Sequence, residues 1–373
     1  MSRVSLTFLW ETPARAIPVF SVFIPFFGCP RRCVFCSQHD QTGQQASPLD
    51  EILAHAAADL HARRAQGRPP VELAFYGGTF TALAPRDLDA CLDMADSLRR
   101  DGCITRFRCS TRPDRLDAAL LARLRRHGCR TVELGIQSFS DTALQASERH
   151  YSGRQATEAC RLVRDAGLAL GVQLLPGMPG HQPEDFLADV RRALDLGADM
   201  LRFYPCLVLA GTELARRWQQ GLYAPWPLPR TLSLLARGWL YARRAGVPVI
   251  RMGLAPEPGM EAALLAGPAD RNLGGRVLGR ALWLHVCACL LRARGDDAAR
   301  SEVRAAALLD ALLAGGKAPA GLPRAQALYL PRSCQGFFRG PGDELGTAWA
   351  ALGITRRNLV WTAGQAASLH LDA

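Results

Sequence analysis

From Val19 to Tyr204 the sequence alternates six short β-rich runs with five stretches of helical periodicity, and few folds admit so regular an alternation. The β-rich runs are Val19–Phe26, Val71–Tyr76, Arg106–Thr111, Thr131–Ile136, Leu168–Leu175 and Met200–Pro205. Helical spacing of apolar residues falls at about Leu49–Ala65, Pro85–Arg100, Asp117–His127, Arg154–Asp165 and Pro183–Leu196. Gly67, Gly102, Gly128, Gly167 and Gly197 stand at or just past the ends of these helices, where a left-handed cap residue closes a helix. The pattern predicts an α/β protein built as a partial (β/α)6 TIM-type barrel. A full ring of eight units is not expected, because the alternation fades after Pro205. Barrels of this kind gather their chemistry at the C-terminal ends of the strands.

Residues 1–205 therefore read as the barrel and 206–373 as a mainly helical second domain. In the latter, "LSLLARGWLYARRAG" and "LGRALWLHVCACLLRARG" have helical character, and the end, "LGTAWAALGITRRNLVWT", reads as a helical or a small α+β cap. A hydrophobic fraction of 49% with 21% charged residues excludes disordered, collagenous and disulfide-scaffold classes. No run reaches the roughly 18 apolar residues of a membrane span, and "VSLTFLWE" is too short for a signal peptide. A cytoplasmic protein with no membrane partner is the expectation. The formal charge of +11 is carried almost wholly by arginine, since Lys317 is the single lysine. Such a surface favours polyanions, although scattered arginines on helices such as "LARLRRHGCR" account for much of the charge.

Of the 12 cysteines, Cys29, Cys33 and Cys36 form a C-x3-C-x2-C run directly after the first strand. Three soft thiolates on one loop can hold three irons of a cubic 4Fe-4S cluster and leave the fourth open to an exogenous ligand. A structural zinc site takes four protein ligands, and His39, three residues beyond Cys36, is the nearest fourth. The remaining nine cysteines form no second cluster motif and read as small buried hydrophobes.

The run "CPRRCVFC" at the end of a βα repeat resembles the signature of the radical S-adenosylmethionine (SAM) enzymes. That resemblance implies two cofactors, a 4Fe-4S cluster on Cys29, Cys33 and Cys36, and SAM chelated at the open iron. Reductive cleavage of SAM would then give a 5'-deoxyadenosyl radical, with reduced ferredoxin or flavodoxin as electron donor. It further implies that "YGGTFTAL", with Gly77, Gly78 and Thr79, holds the methionine amino end of SAM; alone, a Gly-Gly pair is a plain turn. Gln137 is placed beside the cofactor. Arg149 is placed by its carboxylate or ribose, against the alternative of a solvated arginine. Gln173 is directed to the ribose, Gly177 to the adenine slot, and Phe35 to the adenine face or to the core.

Within the superfamily, "TRPD", "VELGIQS" and "YPCLVLAGTELARRWQQGLY" look like blocks of the Elongator catalytic subunit, a tRNA wobble-uridine modification enzyme, over roughly residues 17–253. More distantly, "FIPFFGC" and "GIQSF" resemble oxygen-independent coproporphyrinogen oxidase. The chain departs from the first in its compact cysteine spacing and in a tail too short for that subunit's whole acetyltransferase domain. From both it departs at Ser110, where they usually carry a glutamate to the cofactor. Modification of tRNA is the leading expectation. The others are a small-molecule substrate such as a tetrapyrrole, or a non-catalytic cluster or zinc module.

Overall fold

The computed structural model describes residues 3–9, 17–38, 47–254, 258–364 and 366–372. Its strands, numbered along the chain, are β1 (Arg3–Leu9), β2 (Val19–Phe23), β3 (Val71–Tyr76), β4 (Ile104–Thr111), β5 (Cys129–Gln137), β6 (Ala169–Leu174), β7 (Met200–Phe203), β8 (Val208–Leu209), β9 (Val249–Met252), β10 (Leu264–Ala266), β11 (Ala325–Pro331), β12 (Leu359–Thr362) and β13 (Ala366–Asp372). The chain divides into two compact units, Ala16–Thr231 with Tyr241–Arg271, and Met1–Arg15 with Leu232–Leu240 and Asn272–Ala373.

In the first unit a seven-stranded parallel sheet runs in the order β2-β3-β4-β5-β6-β7-β9. It curls into a partial barrel, so that residues of both edge strands, β2 and β9, line one cavity. All six expected strands are present. The expectation of six falls one short, because β9, a short strand after Pro248, adds to β7. The first strand also ends earlier than its apolar run suggests, since the chain turns after Phe23.

Helix Gly153–Asp165 opens with a capping box from Ser152 and Gln155 and buries Ala156, Ala159, Cys160 and Val163. Helix Pro85–Arg100 starts with proline in its first turn and buries Leu88, Cys91, Leu92, Ala95 and Leu98. In the core Phe75 stacks on Phe80 at 4.8 Å and meets Phe107 edge-on at 5.9 Å, with Phe80 and Phe107 tilted at 6.3 Å. Each such ring contributes roughly 1.5–3 kcal/mol by leaving water. Cys91, Cys103, Cys109, Cys129, Cys160, Cys206, Cys287 and Cys334 are buried, the small-hydrophobe role expected of them, and Cys289 is partly exposed.

The contacts of the first unit continue past the expected boundary at residue 205, through residues 206–231 and 241–271. The second unit is helical as predicted but also carries a four-stranded sheet, β1-β13-β11-β12, in which β1 pairs antiparallel with β13 from Arg3↔Asp372 to Leu9↔Ala366. Helix Leu273–Ala293 is long and apolar enough to cross a membrane by length and composition. Thirteen of its residues, Trp283 among them, are nonetheless buried in the fold, as in a core helix.

Candidate functional site

Beyond β2 the chain reverses through Phe26 and Gly28, both at positive φ, and delivers the cysteines to the C-terminal edge of the sheet. The Gly77–Thr79 segment after β3 packs backbone to backbone against this turn: the Thr79 N–H donates to the Phe27 carbonyl at 2.7 Å. Gly78 lies at φ +58, and a Cβ there would stand 2.2 Å from the Phe27 oxygen. The glycine pair thus makes room for the cysteine loop itself. Gln38 closes the turn, its Oε1 accepting from the Phe26 N–H at 2.5 Å and the Gly78 N–H at 2.9 Å.

Cys29, Cys33 and Cys36 line a single cavity of about 730 Å³. Cys29 Sγ lies 3.3 Å from the Thr79 hydroxyl. Cys33 Sγ accepts from Arg149 Nη1 at 2.9 Å, with Arg112 Nη1 at 3.7 Å. Burial pushes the Cys36 thiol up to about 12 and raises Cys29 as well, the neighbouring thiols add to both, and Arg149 pulls both back. The free Cys29 and Cys36 thiols stay protonated at neutral pH; ligation by a cationic centre is what would make thiolates of them. Arg149 is 4% exposed, which excludes the solvated-arginine alternative. Burial opposes its charge, but the Tyr151 phenol and the Cys33 thiol outweigh that effect. Its Nη2 donates to the Gly135 carbonyl at 2.6 Å and its Nε to Tyr151 at 3.0 Å.

Below the thiols, polar side chains from five strands meet inside the barrel. Glu133 on β5, 1% exposed, accepts from Arg202 Nη2 at 3.0 Å, Arg108 Nη1 at 3.2 Å, the Tyr76 hydroxyl at 3.0 Å and Gln173 Nε2 at 3.1 Å, and its ion pair with Arg202 closes to 2.6 Å at Nε. Arg108 also pairs with Glu72. Burial works to raise the Glu133 pKa, but Arg202, Gln173 and Arg108 hold it below the usual carboxylate range. Gly171, the register partner of Glu133, leaves it space, since a Cβ there would stand 2.7 Å from Glu133 Cγ.

Of the residues singled out in the sequence, Phe35, Gly77, Gly78, Thr79, Ser110, Gln137, Arg149 and Gln173 all line the cavity with the three cysteines. Gln137 does so at φ +66, a left-handed conformation that a side chain adopts at a cost of order 1–3 kcal/mol. Gln173 and Ser110 bond to each other at 2.7 Å. Gly177 is not among the lining residues: it packs under Trp226, with its carbonyl accepting from Tyr223 at 2.6 Å. His39 lies outside the described residues. Tyr76, Arg108, Arg112, Glu133 and Tyr204 were missed as site residues. Glu72, Arg108, Glu133, Gln173 and Arg202 each interrupt an apolar strand, which is the signal that could have found the network.

The donor set fits an iron-sulfur cube better than a lone ion. Cys29, Cys33 and Cys36 bring three soft thiols to one cavity, the number a cube takes when one of its irons is left open. A cube sets its three ligands on separate irons, so they need not converge on a point.

A family model described as the radical SAM superfamily matches residues 23–193, and one described as the Radical_SAM C-terminal domain matches 198–280. A tRNA uridine(34) acetyltransferase of Dehalococcoides mccartyi is 30% identical over 269 residues, 63% of this chain and 57% of the relative. Its namesake from Methanocaldococcus jannaschii is 26% identical over 279 residues, with 63% and 51% covered. The heme chaperone HemW of Escherichia coli is 26% identical over 207 residues, with 54% of each covered. The chain thus spans about half the length of these relatives. Archaeal Elp3 from Methanocaldococcus infernus shares the fold with a TM-score of 0.54 at 23% identity, over 70% of this chain and 62% of that one. With the cysteine run, the parallel partial barrel and two matching family models that together span residues 23–280 save for four, the chain belongs to the radical SAM superfamily, and its cofactors are a 4Fe-4S cluster and SAM.

Proposed function

We propose that this protein modifies a tRNA base by radical chemistry. Cys29, Cys33 and Cys36 would hold the cluster, and Gly77, Gly78, Thr79, Gln137 and Arg149 would surround SAM on the same wall of the cavity. When bound, the two cofactors supply a 5'-deoxyadenosyl radical by one-electron cleavage of SAM. Thr79 and Arg149 orient the thiol-bearing loop, and Ser110 and Gln173 offer hydroxyl and amide groups from the barrel floor. Gly177, held under Trp226, has no part in this assignment.

One observation carries the reading of substrate. The cavity is lined by Arg31, Arg32, Arg108, Arg112, Arg149, Arg202 and Arg251, with no aspartate or glutamate among the described residues. A concave surface of one sign concentrates anions, and the tRNA-modifying relatives point to which anion. The protein would work in the cytoplasm and draw its electron from reduced ferredoxin or flavodoxin.

The test is anaerobic reconstitution with SAM, a chemical reductant and an unmodified tRNA transcript. The expected result is 5'-deoxyadenosine together with a nucleoside of altered mass, both lost in Cys33→Ala. A Cys33→Ala protein that still forms 5'-deoxyadenosine would refute the site. The likeness to HemW favours a second reading, in which the same arginines face the carboxylates of a tetrapyrrole. Stoichiometric heme binding with no change in tRNA would select it.

A further inference from the structure

Strand β9 closes the parallel sheet and sets Arg251 in register opposite Arg202 of β7. Like charges opposite one another on paired strands are destabilising. Arg202 is relieved by Glu133, and Arg108 by Glu133 and Glu72. Arg251 is exposed and relieved by solvent instead: among the described residues its polar contact is from Nε to the Gly253 carbonyl at 3.2 Å, and no carboxylate pairs with it. Just past β7, the Tyr204 hydroxyl accepts from Arg202 Nη1 at 3.1 Å, while its own proton meets no acceptor among the described residues. Both side chains line the cavity, Arg251 exposed and Tyr204 half-buried, beside the apolar Leu207, Ile250 and Leu254. The two Nη groups of Arg251 and the Tyr204 hydroxyl proton, none engaged among the described residues, match the lone pairs of an oxyanion.

We propose that Arg251 and the Tyr204 hydroxyl hold an oxyanion of the substrate, a phosphate oxygen of the RNA under the function proposed above. This inference rests on that reading for the source of the oxyanion, though not for its chemistry. A substrate held at the β9 edge is gripped on the strand farthest in sheet order from the cysteine loop that follows β2. Anchoring and radical generation are then divided between the two edges of the sheet.

The experiment is tRNA binding by the reconstituted protein across a salt series, with Arg251→Gln, Arg251→Lys and Tyr204→Phe beside the parent. Cluster absorbance and melting temperature serve as checks of folding. Losing one phosphate contact reduces the slope of log K against log salt by about 0.7–0.9. Arg251→Gln should show that loss with weaker binding, Arg251→Lys should keep the slope, and Tyr204→Phe should weaken binding at unchanged slope. If the parent binds tRNA and Arg251→Gln binds it with the same affinity and slope, the inference is overturned while the function stands. If the parent ignores tRNA but binds coproporphyrin in an Arg251-dependent way, the oxyanion site stands and the tRNA reading falls. Binding of neither probe overturns both.

Discussion

Replacing Glu133 by glutamine removes one charge from the centre of the barrel and almost no volume. In the parent that carboxylate neutralises Arg202 at 2.6 Å and shares Arg108, at 3.2 Å, with Glu72. After the exchange Glu72 is left to serve Arg106, Arg108 and, at a distance, Arg202, so one guanidinium stays buried without a counter-charge. Breaking a buried pair in this way costs about 3–5 kcal/mol. The glutamine oxygen keeps one acceptor, which argues for the lower end, about 3 kcal/mol. In a unit of this size that lowers the melting temperature by about 6–12 °C. The assay is thermal unfolding followed by circular dichroism, with Arg202→Gln and the double variant completing a cycle. The double variant should recover part of the loss, because it removes the stranded charge. The pH dependence has a fixed sign. Glu133 has a depressed folded-state pKa, so its stabilisation is present above the unfolded carboxylate value of about 4.3 and fades as pH falls through the lower folded value. The glutamine variant should therefore lose less stability than the parent as pH falls below about 4.3. A melting temperature within 2 °C of the parent at pH 7 would refute the reasoning.

Gly78→Ala places a Cβ 2.2 Å from the Phe27 carbonyl at φ +58, and should destabilise the cysteine turn by about 1–3 kcal/mol; reduced iron per chain after reconstitution checks this, and full iron content at parental stability contradicts it. Arg149→Met removes the 2.9 Å donor to Cys33 along with its charge, and since hydrogen bonds to ligand sulfurs tune a cluster's potential, the midpoint should move to more negative values, with Arg149→Lys between the two. A potentiometric titration followed by electron paramagnetic resonance reads this directly, and an unmoved midpoint in both variants would dismiss the contact.

The barrel was legible because its evidence is local. Helical spacing and terminal glycines repeat every few tens of residues, and each can be read without knowing what packs against it. What escaped was non-local or brief. β9 has four residues and no alternating pattern, and it becomes a strand by adding to the edge of β7. β1 is a strand because its partner β13 lies at the other end of the chain, from Leu9↔Ala366 to Arg3↔Asp372. The site divides along the same line. A three-cysteine spacing is a local statement about one loop, and the loop does bring those thiols to the cavity. The role of Gly78 was less legible: the atom that its missing side chain spares belongs to Phe27, 51 residues earlier. Gln173 likewise could not be read as a partner of Ser110, 63 residues away, until the sheet set both on one face.

The distribution of carboxylates decides what the arginines are for. Glu72 and Glu133 lie at 1% exposure behind Arg108 and Arg202, and Asp114 holds Arg112, so those three cations are largely satisfied by the fold. None of the three carboxylates lines the cavity. The compensation therefore lies behind the wall while the donors face the space, and a ligand entering there meets guanidinium groups and no competing anion. Lysine would not serve equally: its ammonium is a strongly hydrated point charge, whereas a guanidinium tolerates partial burial and presents a planar fork to oxyanions. A neutral ligand gains little from such a wall. For an anionic one the barrel's interior stability and its selectivity draw on the same pairs, so variants that strip Glu133 should weaken the fold while leaving the cavity more, rather than less, attractive to anions.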